Sequence, residues 1–479
     1  MAEPSIPLAD IFAPASRADW MALVDRTLDG APLESLGSRT ADAIEIEPLY
    51  GPDKVGPTTA FDRAARGAGS GWDIRAPVRQ ADCARANAEI REALDGGATS
   101  ILAVVDPSGA RGVAIGAAAD LERLLEGAPL ELAPLALDAG FHGRIAAEWL
   151  ASAAKASPTV RLCFHLDPLG AFAVAGSSPG PIEAHMGACA SLAARLAAPY
   201  PQASLFLASG VSLHEAGASE ACEVAFAAAC ALAYARALEP AGLSPAQAFG
   251  RIVLGMATDG DCLVSIAKLR ATRMVWRRIT SACGATATAK IEARSSRRML
   301  TRIDPWTNLV RVTAAGFAAA AGGADAIVLG AFTDALGPPA ALARRLARNT
   351  GLILVEEAHI GRVIDPAGGS WAFEALSTAI ARAAWTRLQK IEAAGGAARA
   401  LGSGLIESWT IEGREDLQRR LRAGESKIVG VTVFRRGAPQ PVEIETARPI
   451  PVAAPDPSLP GSDSRCPPLA PVALEELAA

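Results

Sequence analysis

The chain has 479 residues, half of them hydrophobic and a fifth charged, with a formal net charge of -5. That balance supports a large buried core and argues against disorder, and the lack of a basic run argues against nucleic-acid binding. No apolar stretch of about 18 residues free of charges or breakers stands out, so no membrane span is expected, and the first fifteen residues, which include Glu3 and Asp10, do not read as a secretory signal.

Residues 1–80 look irregular, with helical spacing over Asp19–Asp29 and Phe61–Ala68 and a short strand signal at Ala43–Leu49. This stretch has too little apolar surface to stand alone and reads as an arm. From residue 82 the rhythm changes. Eight short apolar runs recur, at Thr99–Val105, Leu130–Leu137, Val160–Leu166, Ala203–Ser209, Arg251–Met256, Ala289–Arg294, Ala326–Leu329 and Leu352–Val355. Longer helical stretches separate them, such as Cys83–Leu94, Glu183–Leu196, Glu220–Leu238 and Leu263–Cys283. Strands alternating with amphipathic helices imply a parallel sheet, and eight such units imply a closed (β/α)8 TIM barrel. The competing arrangement, an open doubly wound sheet, favours a Gly-rich phosphate turn after an early strand, and no G-x-G-x-x-G occurs. Ala372–Ala394 is expected to close the outer ring of helices, and Lys427–Phe434 reads as one more short strand. The last 42 residues hold ten prolines and read as an extended tail. The expected organisation is therefore an N-terminal arm (1–80), a barrel (81–437) and a proline-rich tail (438–479). The eight cysteines are scattered without a CxxC pair, which suggests a reduced cytoplasmic protein with no structural zinc.

Several motifs carry a family resemblance. Thr301-Arg-Ile-Asp-Pro-Trp-Thr-Asn-Leu-Val-Arg311, Gly322-Gly-Ala-Asp-Ala-Ile327, Ile266-Ala-Lys-Leu-Arg-Ala-Thr-Arg-Met-Val-Trp276 and Glu356-Glu-Ala-His-Ile-Gly-Arg-Val-Ile-Asp-Pro-Ala-Gly-Gly-Ser-Trp371 resemble the methylmalonyl-CoA mutases, in the right order. Ile46-Glu-Pro-Leu-Tyr50, Gly71-Trp-Asp-Ile-Arg75 and Leu166-Asp-Pro-Leu-Gly170 are most similar to the small (beta) subunit of two-chain bacterial enzymes.

The resemblance implies radical chemistry that adenosylcobalamin supplies, with the protein holding the cofactor, orienting the acyl-CoA and excluding water. It also implies a histidine in a D-x-H-x-x-G turn of a C-terminal Rossmann-like domain. None of the five histidines here stands in that motif, so no cobalamin-binding domain is expected in this chain. The family's catalytic tyrosine follows a tryptophan–x–isoleucine–arginine–glutamine element. Here that element reads Trp72-Asp-Ile-Arg-Ala-Pro77, so Pro77 takes the tyrosine's slot and Ala76 the glutamine's. The family's catalytic histidine precedes an E-A-G-A element by three residues, and Ser212 stands there, with His214 two positions on. No catalytic residue is expected. His214 and Arg294 remain as barrel-mouth candidates for substrate binding, beside the bland reading of His214 as a packed residue near a helix start. Glu356 and Glu357 are expected at the end of the last strand, where the similar acidic element of the family looks structural. Arg294, Arg297 and Arg298 follow one strand and could meet a CoA phosphate or an acidic partner surface, with a solvated loop as the bland reading.

These features together imply an auxiliary subunit, without metal, nucleic-acid or membrane sites. It would pair as a heterodimer with a larger catalytic mutase chain that brings the cobalamin. Two alternatives stay open: a large mutase subunit receiving cobalamin from a separate small protein, and a barrel scaffold outside any mutase complex.

Overall fold

The computed structural model describes residues 15–52, 71–154, 159–435, 440–446 and 448–478. The helical pattern at Phe61–Ala68 lies outside them. Eight parallel strands close into a barrel. We number them β1 (Asp73–Val78), β2 (Ser100–Val104), β3 (Leu135–Asp138), β4 (Leu162–Leu166), β5 (Ser204–Ser209), β6 (Ile252–Thr258), β7 (Ile291–Ser295) and β8 (Ala326–Val328). The ring shuts where Ala326 and Ile327 pair with Asp73 and Ile74.

The count of eight holds, but its membership differs at both ends. The first strand is Asp73–Val78, inside the stretch assigned to the arm. It carries no continuous apolar run, because Asp73, Arg75 and Pro77 alternate with apolar residues and point into a charged interior. The run Leu352–Val355 is not a strand. It is the last turn of the helix Ala341–Glu356, and a four-residue apolar run cannot by itself distinguish the two. That helix runs back from the end of β8, so Glu356 and Glu357 sit away from the mouth and are exposed. Lys427–Phe434 is likewise no strand, only a turn with a single bridge between Val429 and Val433.

The helix Glu220–Leu238 is long and apolar enough to cross a membrane, with mean hydropathy 1.5, a feature the sequence reading overlooked. Its position in the protein accounts for that composition. It lies against β5 and β6 and between the helices Ile182–Ala197 and Cys262–Ala282, and Trp371–Ala393 covers it from outside. Sixteen of its nineteen residues are buried, so alanines and cysteines pack on every face. Trp371–Ala393, expected to complete the ring, instead forms a second layer over it. The helix Ala341–Glu356 fills the last ring position, against β1 and the helix Pro305–Ala321.

The arm and the tail attach differently. The arm's helix, Arg17–Leu28, starts at Ser16 through a capping box with Asp19, yet buries no residue. Farther along, Asp42 pins the arm to the barrel by accepting from Ser219 Oγ (2.6 Å) and the Ala221 amide (2.9 Å) at the start of the Glu220–Leu238 helix. The tail is extended but firmly laid down. Its amides at Val452, Leu459, Cys466, Leu469, Val472 and Leu474 donate to the carbonyls of Pro107, Pro179, Gly176, Ala173, Glu215 and Arg298, at 2.8–2.9 Å. All six acceptors lie in the loops or short helices that follow β2, β4, β5 or β7, so the tail follows the rim at the strands' C-terminal ends. Glycines let it approach: a Cβ on Gly116 would lie 2.2 Å from the Ala453 oxygen, and one on Gly180 (φ +105°) 2.4 Å from that of Leu459.

Candidate functional site

A cavity of about 1150 Å³ opens at the C-terminal ends of the strands, where barrel enzymes build their sites. Its wall includes Pro77, Asp138, His165, Asp167, Ser212 and Arg294, and the tail residues Leu469, Pro471 and Val472 line it from the rim.

The strands set this wall. Inward positions alternate along each strand, so Glu292 and Arg294 of β7 both face the interior. Arg294 donates from Nε to Glu292 (2.8 Å) and from Nη1 to Asp138 (2.7 Å). Below it, Arg75 pairs with Glu292 and donates from Nε to Ser100 Oγ at 2.8 Å. Glu292 is fully buried. Burial opposes its ionisation, but the charges of Arg294, His165 and Arg75 overcome that and hold its carboxyl far below the usual range. Leu102, Ala136 and Val328 fill the interior beside this network.

Of the sequence candidates, Arg294 reaches the cavity and His214 does not. His214 is fully buried behind the wall, in a separate polar cluster. Its Nδ1 lies 3.5 Å from Glu223 and its Nε2 3.7 Å from Asp259. Burial lowers its pKa, and the nearby Arg298 and Lys268 lower it further. Lys268 bridges to the same Glu223 at 2.5 Å. Glu223 is opposed by burial yet brought down to about 2 by Lys268 and His214. Arg298 is buried as well, and donates to the His214 carbonyl at 2.8 Å, so it ties two loops together instead of lying in solvent. The backbone amides of Arg297 and Arg298 both donate to Glu215 at 2.9 Å.

Pro77 and Ser212 both line the cavity, and the Ser212 hydroxyl is buried there without a hydrogen-bond partner among the described residues. None of the three tyrosines does so. Tyr50 is in the arm and accepts from the Glu47 amide, Tyr200 donates to the Ala151 carbonyl, and the fully buried Tyr234 donates to Asp167. Burial pushes the Asp167 carboxyl up to about 7, against the Tyr234 hydrogen bond.

The sequence reading missed Arg75, Asp138, His165, Asp167 and Glu292. A signal existed for His165, near the end of the run Val160–Leu166, and for Asp167 just after it, at the strand end that a barrel turns toward its site. For Arg75 and Glu292 there was none, because their pairing spans 217 positions.

Among the described residues, no group of three or more His, Cys, Asp or Glu could hold a metal ion. A corrin's lower ligand must present an imidazole at a surface. The His165 and His214 side chains are fully buried, and His185 donates from Nε2 to the Pro179 carbonyl (2.9 Å). His142 and His359 are at least partly exposed, and neither stands in a D-x-H-x-x-G turn.

Residues 40–454 match the methylmalonyl-CoA mutase family. A methylmalonyl-CoA mutase small subunit from Streptomyces virginiae is 36% identical over 465 residues, covering 92% of this chain and 74% of that protein. A probable small subunit from Mycobacterium tuberculosis (strain ATCC 25618 / H37Rv) is 36% identical over 418 residues, covering 81% and 64%. The small subunit from Propionibacterium freudenreichii subsp. shermanii is 32% identical over 458 residues, covering 90% and 70%. The chain thus spans less than two thirds of the mycobacterial relative and about three quarters of the Streptomyces one.

Proposed function

The chain belongs to the methylmalonyl-CoA mutase family, and from that premise we propose that it is an auxiliary, non-catalytic subunit of an adenosylcobalamin-dependent methylmalonyl-CoA mutase. A larger catalytic partner would bind the cobalamin and convert methylmalonyl-CoA to succinyl-CoA. The observation that carries this reading is the cavity wall: Pro77 and Ser212 stand in it, and no phenol reaches it. A proline ring offers neither a hydroxyl nor an aromatic face, and a serine cannot replace an imidazole as a donor to a thioester carbonyl at the same reach. Two further observations support the reading. The tail lies along the rim that a corrin would have to approach. The arm helix, with every residue at least partly exposed, offers a surface for the partner.

His165 favours a second reading. It is a histidine of the cavity lining, with its ring nitrogens buried just behind the wall of a barrel that would still handle an acyl-CoA. One experiment separates the two. The chain is assayed for mutase turnover with adenosylcobalamin, alone and after co-expression with a larger mutase chain. The auxiliary reading expects a stable heterodimer and activity only in the complex. Turnover by the isolated chain overturns it in favour of the second reading.

A further inference from the structure

A cysteine lies in the N-terminal half of the barrel, away from the mouth. Cys163 of β4 is half-buried, and Arg75 donates to its Sγ from Nη2 at 3.5 Å. Two residues on, the strand bulges. Cys163 pairs with Ser204 and Leu166 with Phe206, so β4 carries one residue more than β5 between the two pairs. His165, at the bulge, takes φ +46°, a left-handed conformation that strains a non-glycine residue. Its side chain is fully buried and neither ring nitrogen has a hydrogen-bond partner among the described residues. The imidazole lies beside the thiol and 4.0 Å from Glu292.

We propose that Cys163 is a hydroperoxide-reactive thiol, held by Arg75 and His165 as a site of reversible oxidation. Two features mark reactive cysteines: a cationic surrounding and partial exposure. Cys163 has both. At Cys189 and Cys222 a lone arginine, Arg144 or Arg387, does not offset burial, which pushes both thiols up to about 12. The charged groups around Cys163 come from three strands: Arg75 and Asp73 on β1, Arg161 and His165 on or next to β4, and Lys290 and Glu292 on or next to β7. Burial opposes ionisation of the thiol, but Arg75 and His165 outweigh it and bring it down to about 6. In the reaction the thiolate sulfur attacks one peroxide oxygen. An S–O bond forms, the O–O bond breaks, and the second oxygen leaves as hydroxide or alkoxide with the electron pair and takes a proton from water. Sulfur is oxidised by two electrons to the sulfenic acid and the peroxide is reduced. Arg75 can pair with a sulfenate as it does with the thiolate. The inference does not depend on the subunit reading.

The test uses the full chain. It is treated with hydrogen peroxide and then dimedone, and the adduct is located by peptide mass spectrometry. In parallel, iodoacetamide labelling is followed from pH 5 to 9 at Cys163 and at the exposed Cys283 as internal reference. At pH 6.5 labelling at Cys163 is expected to run about ten-fold or more ahead of Cys283, since Arg75 and His165 favour the Cys163 thiolate. The dimedone adduct should fall on Cys163, and Cys163→Ser should remove both signals while leaving Cys283 labelling unchanged. Slower labelling at Cys163 than at Cys283, or a sulfenic acid trapped elsewhere but not there, overturns the proposal.

Discussion

Asp167 shows how one side chain links local structure to the cavity. It caps the short helix Pro168–Ala175 by accepting from the Gly170 amide at 2.9 Å, and it also accepts from the buried Tyr234 hydroxyl. Its carboxyl, raised to about 7 by burial, keeps its proton in the folded chain where an unfolded aspartate has lost it. The folded state then binds more protons than the unfolded one between about pH 4 and 7, so the contribution to stability is complete below that window and lost as pH rises through it. Asp167→Asn keeps both accepted hydrogen bonds and has no charge to bury. Denaturant unfolding is expected to show the variant about 1–2 kcal/mol more stable than the parent at pH 8, with the difference shrinking toward pH 4. A difference that does not change with pH would refute the burial account of this carboxyl.

At the scale of elements, the tail is the segment whose composition says least about its role. A stretch with so many prolines forms no regular ladder, yet its free amides alternate with prolines and meet carbonyls on successive loops of the rim. The barrel returns some of these bonds: Ser178 donates to the Ser464 carbonyl (3.1 Å), Gly180 to Asp463 (2.9 Å) and Ile182 to Ser464 Oγ (3.0 Å). Arg302 holds the far end through Glu475 at 3.1 Å. A chain ending at Arg448 should therefore stay folded but melt several degrees lower, since about 1 kcal/mol shifts Tm by roughly 2 °C or more in a large chain. Its amides at Ser178, Gly180 and Ile182 should exchange with solvent much faster. Unchanged exchange at these three sites would mean that the tail is only loosely attached.

For the whole molecule, the question is where a partner binds. The arm helix Arg17–Leu28 buries nothing, while Asp42 anchors the segment behind it. A helix of twelve residues is marginal in water without tertiary contacts, which favours a role for it in an assembly. Deleting residues 1–36 is expected to leave the thermal midpoint of the isolated chain within about 2 °C, as surface changes do. The same deletion should weaken the complex with a catalytic mutase chain at least about ten-fold, measured by sedimentation or titration calorimetry, a loss of about 1.4 kcal/mol. Equal affinity with and without the arm would place the interface elsewhere.

The alternation of apolar runs and amphipathic helices was sufficient to indicate a barrel, because period-2 and period-3.6 patterns are local properties of the chain. Helices such as Glu220–Leu238 were legible to the residue, and so were the Pro77 and Ser212 substitutions, which are matters of residue identity. What the sequence could not settle was anything that depends on distant partners. Asp73–Val78 is a strand because β2 and β8 flank it, and Leu352–Val355 is a helix because the chain must return down the outside of the barrel. His214 has the same local sequence whether it faces the mouth or, as the fold places it, Glu223 and Asp259. Arg75 and Glu292 are paired only once the ring closes between the last strand and the first. Buried charge, cavity walls and the course of the tail all follow from that closure, and the distances that govern them are set between residues far apart along the chain.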